Sequence, residues 1–164
     1  MRKIIYTSFI LPLLLCSALS HSASKKGVVI SVELSPAGSF EINGKIKGKV
    51  HKEGNGFHAK KLTFKISKLK TGLDLRDEHT IKYLSNKGKY KYVAVTAKGS
   101  GGNGIGKIKI LGKTKKFKFK YVQEGKNIKA NFNLSIKDFG FEGISYMGIG
   151  VDDQVEVSAT VGIK

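Results

Sequence analysis

The sequence predicts an all-β domain whose antiparallel strands fold as a sandwich or as an up-and-down barrel. Three observations carry that expectation. Apolar residues recur at every second position through most of the chain, the period of a strand with one buried face. The faces opposite them carry much of the chain's lysine, 28 residues in 164. The segments follow one another through short turns, which favours sequential hairpins over crossover connections. An eight-stranded barrel built this way has an interior just wide enough for side chains or for one small ligand.

Taken in order, a weaker alternation predicts the first strand over 28–34. "SFEINGKIKGKV" (39–50) sets Phe40, Ile42, Ile46 and Val50 on one face and Lys45, Lys47 and Lys49 on the other. "KLTFKISKL" (61–69) turns Leu62, Phe64 and Ile66 inward and Lys65 outward. Weaker strands are predicted over 89–97 and 105–111. "KFKFKYV" (116–122) alternates Phe117, Phe119 and Tyr121 with Lys116, Lys118 and Lys120. "NIKANFNLSI" (127–136) aligns Ile128, Ala130, Phe132, Leu134 and Ile136, and "QVEVSATVGI" (154–163) aligns Val155, Val157, Ala159, Val161 and Ile163. Asn55-Gly56 supplies the strongest hairpin signal, with further turns at Gly112 and Gly125. One segment breaks the pattern. Between the third and fourth strands, Leu73, Asp77, Thr80, Ile81 and Leu84 follow an imperfect helical spacing, and Asp74 is placed to cap a short helix over 74–84.

Residues 1–23 are predicted to be a secretory signal peptide. A basic start (Arg2, Lys3) precedes an apolar run from Ile4 to Leu15, and small residues follow, with cleavage after Ser20 or Ser22. Leu15 is too bulky for the lipoprotein signal that Cys16 would otherwise raise. The domain is then 24–164, located in the periplasm. It has no cysteine, so it is held together by its own core rather than by disulfides.

Without Arg2 and Lys3 the chain keeps 28 basic residues against 12 acidic ones, and Arg76 is its single arginine. Readers of bases and phosphates lean on arginine's planar fork, so this charge points to solubility and to anionic surfaces, not to nucleic acid. The lysine faces would also keep strands from pairing edge to edge. Attraction to an anionic membrane surface is the second use for them.

Several short motifs lack the context their chemistry requires. "GSGGNG" (99–104) is followed by the strand-like "IGKIKIL", not by the helix a phosphate loop needs. "DFG" (138–140) stands without the other parts of a kinase. With Asn55-Gly56 as the turn, His51 faces Lys60 and His58 faces Glu53, so no metal site forms. No nucleophile motif is present, and no motif asks for a cofactor. The only candidate for acid–base catalysis is Asp77, Glu78 and His79, and a capped, ion-paired helix start explains the same charges. The expectation is a binding protein, not an enzyme.

The order of these segments resembles the YceI-like family of lipocalin-like, polyisoprenoid-binding periplasmic proteins. The marker residues are Ser67, Thr71, Arg76, Asp77 and His79 at the helix start; Gly106, Ile108, Ile110, Gly112, Thr114 and Lys115 in a later strand; and Asp138, Phe139, Gly140, Gly150, Val151, Asp153 and Val155 near the end. The resemblance spans roughly 39–163. It implies an eight-stranded antiparallel lipocalin-like barrel with one short helix between strands three and four. It also implies an elongated apolar pocket for a polyisoprenoid or acyl lipid. The lining candidates are Phe64, Ile66, Ile81, Tyr83, Leu84, Tyr92, Ile108, Ile110, Phe117, Phe119, Phe132 and Leu134, and Thr71, Arg76, Asp77 and His79 are the structural brace. The alternative use of the same domain is a cationic envelope protein that binds anionic lipid or polysaccharide through its lysines. A dimer is compatible with either. The same inward faces would equally fill a dry core, and the alternation is identical in the two cases.

Overall fold

A computed structural model describes residues 26–146 and 148–164. The predicted signal peptide and Cys16 lie outside the described residues. The strands are β1 (Gly27–Ser35), β2 (Ser39–Gly44), β3 (Ile46–Lys47), β4 (His51–Glu53), β5 (Gly56–Lys65), β6 (Tyr92–Ser100), β7 (Asn103–Ile110), β8 (Lys113–Glu124), β9 (Asn127–Ser135), β10 (Ser145–Tyr146) and β11 (Ile149–Gly162). One α-helix, α1 (Asp74–Ser85), and two 3-10 turns, Ile66–Lys68 and Lys137–Phe139, complete the element order.

The strands form one sheet in the order β2-β1-β11-β9-β8-β7-β6-β5-β3, all neighbours antiparallel. Its two ends, β2 and β3, are consecutive pieces of one run of chain. That run hydrogen-bonds to β1 with its first half and to β5 with its second, and so nearly closes the sheet into a barrel. A parallel bridge completes the join: Val50 N–H donates to the Gly162 carbonyl at 3.0 Å, and Lys164 N–H donates to the Val50 carbonyl at 2.8 Å. The up-and-down barrel, not the sandwich, is therefore the architecture. The predicted second strand, 39–50, is broken because one strand cannot pair with two diverging neighbours without bending. The break between β2 and β3 falls at Lys45, and Gly48, at φ +119°, follows β3 with the Lys61 carbonyl 2.5 Å from where a Cβ would lie.

The Gly-rich stretch that mimicked a phosphate loop is the β6–β7 turn, with Gly101 and Gly102 at positive φ, and it runs into a β7 whose glycines face aromatic rings. Gly104 and Gly106 stand opposite Phe119 and Phe117, and a Cβ at either would fall 2.1 and 2.5 Å from those rings. The glycines let aromatic rings lie over the strand.

Two details of the first hairpins differ from expectation. The β4–β5 turn is Gly54-Asn55, with Gly54 at φ +55°. His51 therefore pairs with His58, not Lys60, and His58 Nδ1 lies 3.4 Å from Glu53 Oε2. Among the described residues no three ligand-type side chains gather to hold a metal. At α1, the cap position belongs to Leu73 and carries no side-chain hydrogen bond. Asp74 is already helical, and the side chain that anchors the start of the helix is Asp77, through Thr71.

Candidate functional site

Inward residues of the strands surround a cavity of about 770 Å³ that runs along the barrel axis, inside the ~300–1,000 Å³ range of small-molecule sites. Its wall is almost wholly apolar. Phe117 lies 4.4 Å from Phe132 and 5.7 Å from Phe119, centroid to centroid, and forms an aromatic ridge along one side. Toward one end the wall is Val50, Ala59, Tyr121, Ile128 and Val161, with Ala97 and Ala130 beside them. At the other end α1 lies across the opening.

The start of α1 is tied to the barrel by backbone. Asn43 on β2 and Lys70 exchange two hydrogen bonds, of 2.7 and 2.9 Å. Beyond Lys70, the buried Asp77 carboxylate accepts from the Thr71 N–H and from the Thr71 hydroxyl at 2.8 Å. Lys70 Nζ closes on the other carboxylate oxygen at 2.8 Å and reaches Asp74 at 3.9 Å. The Lys70 ammonium first, then the Thr71 N–H, lowers the Asp77 pKa from 3.8 to about 2. Thr71 and Asp77 thus form a brace, with Lys70 as the ion partner.

Arg76 takes no part in that brace. Its guanidinium sits 4.6 Å above the Phe40 ring, lines the cavity, and has no carboxylate within ion-pair reach among the described residues. The expected acid–arginine pair is not formed: Asp77 is paired with Lys70, Asp74 points to solvent, and the guanidinium lies over Phe40. His79 likewise lines the cavity instead of bracing the helix. Asp77 is buried, Glu78 is exposed, and His79 points to the mouth. The three do not share a cleft.

Of the lining candidates, Phe64, Tyr83, Leu84, Ile108, Ile110, Phe117, Phe119, Phe132 and Leu134 border the cavity. Three do not. Ile66 falls in the 3-10 turn that ends β5 and is only 1% exposed, so it plugs the core beneath α1. Ile81 lies one helical turn from Asp77 and one from Ser85, the two buried residues of α1, on the face packed against the barrel end. Tyr92 is 52% exposed, because Val93, Val95 and Ala97 take the inward positions of β6. Sequence reasoning also passed over Leu73, Leu75 and Ile149. These are 58, 64 and 45% exposed and also line the cavity, so with Tyr83 they mark its mouth. Exposed apolar residues in a charged helix start were the available signal.

The "DFG" segment closes the opposite side of the barrel end. Phe139 is buried, Gly140 turns at φ +91°, and Asp138 pairs with Lys115 at 2.9 Å. Asp153 on β11 accepts from the Ser135 hydroxyl at the end of β9 and from the Lys137 N–H, which fixes that turn to β11. The residues that carried the family resemblance are therefore largely those that brace the two flanks of the mouth.

The fold is shared with solved structures. The polyisoprenoid binding domain from Saccharophagus degradans superposes with a TM-score of 0.60 at 11% identity, over 82% of this chain and 90% of that one. BcnA of Burkholderia cenocepacia gives a TM-score of 0.60 at 13% identity, over 81% of this chain and 94% of that one. No curated protein sequence matches the chain. The model of the YceI-like domain matches residues 20–163, and the chain therefore belongs to the YceI-like family.

Proposed function

We propose that the domain is an exported, periplasmic binding or carrier protein, not an enzyme, and that it encloses an elongated apolar lipid of polyisoprenoid or fatty-acid type. The observation that carries this reading is the cavity itself: a continuous apolar channel of about 770 Å³ where a dry core would have closed. Transfer of a lipid chain into it gains ~0.8 kcal/mol per buried methylene. The apolar mouth at Leu73, Leu75, Tyr83 and Ile149 gives such a chain an entry. The polyisoprenoid-binding neighbour supports the ligand class. Native mass spectrometry of the purified protein, followed by organic extraction, should release an isoprenoid or acyl lipid. A protein that stays lipid-free and binds no added lipid would sink the proposal.

A second reading, surface attachment, has its own observation. The outward face of β6–β8 carries Lys98, Lys107, Lys109, Lys116, Lys118 and Lys120, all exposed, with Lys107 directly opposite Lys116. Ile105 and Val122 stand exposed among them. β6, β7 and β9 hold no acidic residue and β8 only Glu124 at its end, whereas Glu33, Glu41 and Glu156 lie on β1, β2 and β11. None of these lysines is ion-paired among the described residues. Such a face suits an anionic membrane surface, at ~1 kcal/mol per lysine near the lipid.

A further inference from the structure

Arg76 is the one guanidinium in the described residues, and it stands where a lipid's polar end would come to rest. It is half-buried at the mouth of an apolar cavity. Its Cζ lies over the Phe40 ring, 4.6 Å from the centroid, a cation–π contact that uses none of its hydrogen-bond donors. It donates no side-chain hydrogen bond and meets no carboxylate among the described residues, which include all 12 acidic residues of the chain. Of the three acids within two residues of it, Asp77 is paired with Lys70 at 2.8 Å, Asp74 points to solvent 3.9 Å from the same ammonium, and Glu78 is exposed. A partly desolvated cation with an unoccupied fork lacks the counter-charge that normally offsets its desolvation. His79 and Tyr83 border the same opening and add polar tips beside it.

We infer that Arg76 is the headgroup subsite of the cavity and that it selects amphiphiles whose apolar chain ends in an oxyanion, a phosphate or a carboxylate. The inference rests on the lipid-binding reading and adds the charge of the head to it. A lysine could attract the same anion as a point charge. The planar guanidinium fork instead can receive two oxygens of one headgroup, at the wall of the cavity that takes the chain.

The test uses three probes with one chain length, hexadecan-1-ol, palmitate and hexadecyl phosphate, titrated calorimetrically below their aggregation limits. The purified protein is compared with Arg76→Gln, Arg76→Lys and Lys60→Gln, the last removing an exposed charge on β5, with melting curves to confirm folding. The wild-type protein should bind one or both anions about ten- to a hundredfold tighter than the alcohol, the range of a charge-assisted pair. Whether phosphate or carboxylate leads identifies the source. Arg76→Gln should bring that preference to within about threefold, Arg76→Lys should keep part of it, and Lys60→Gln should keep all of it. Equal affinity for the three probes, or an undiminished preference in Arg76→Gln, overturns the headgroup assignment while leaving the cavity reading intact. Failure of all three to bind overturns both.

Discussion

The far end of the cavity can be shortened by one substitution, and the structure sets the size of the effect. Ala130 faces inward on β9 between Tyr121 and Ala159, in the wall remote from α1, and its methyl borders open space. Ala130→Phe adds a six-carbon ring there. A ring of that size displaces about four methylenes of a fully inserted chain, which at ~0.8 kcal/mol each is about 3 kcal/mol, or roughly a hundredfold in affinity. The assay is a calorimetric series of straight-chain fatty acids from decanoate to stearate. In the wild-type protein, affinity should rise about fourfold per methylene until the chain meets the end wall. In Ala130→Phe the rise should stop about four carbons earlier, with short chains binding as before. A uniform loss at every length would mean that the mouth or the fold was disturbed, and no loss at any length would mean that ligand never reaches Ala130. The second outcome refutes axial insertion, and a melting curve of the variant identifies the first.

Asp77→Asn should lower the melting temperature at pH 7 by removing the Lys70 ion pair. Because the Asp77 pKa is depressed to about 2, its contribution is complete above the unfolded carboxylate range and fades as pH falls from about 4 to 2. Melting curves of wild type and variant should therefore converge across that window. Gly104→Ala would drive a methyl into the Phe119 ring, with an expected cost of about 1–3 kcal/mol by overpacking. Guanidinium titration should show a lower midpoint with an unchanged slope. Replacing Lys116, Lys118 and Lys120 together by Gln should weaken cosedimentation with phosphatidylglycerol vesicles and flatten its salt dependence. Unchanged vesicle binding would remove β8 from any docking surface.

Much of the barrel was legible because strand alternation is a local property. Phe117, Phe119 and Tyr121 face inward for the same reason that Lys116, Lys118 and Lys120 face out, and no distant contact is needed to know it. The helix at 74–85 was legible as the one interruption of that period. Less legible were places where two local rules compete. Asn55-Gly56 is the stronger turn dipeptide, yet the turn closes one residue earlier, and the His51–His58 register moves with it. Ile66 continues the inward parity of β5, but the strand ends before it and the residue becomes core.

The all-β class, the succession of strands along the chain, their inward faces and the family follow from period-two patterning and from residues read in order. Only the tertiary structure decided that the inward faces enclose a channel instead of meeting as a solid core. That outcome depends on strand number, on closure through the bent run from β2 to β3, and on the summed volume of residues from every strand. It also decided the fate of the charges at α1. Asp74 and Asp77 had both Arg76 and Lys70 within sequence reach. The backbone bridge of Asn43 to Lys70 set the lysine beside the acids and left the arginine over Phe40, at the mouth. Which cation wins a carboxylate is a matter of position in space, and alternation along a chain carries no information about it.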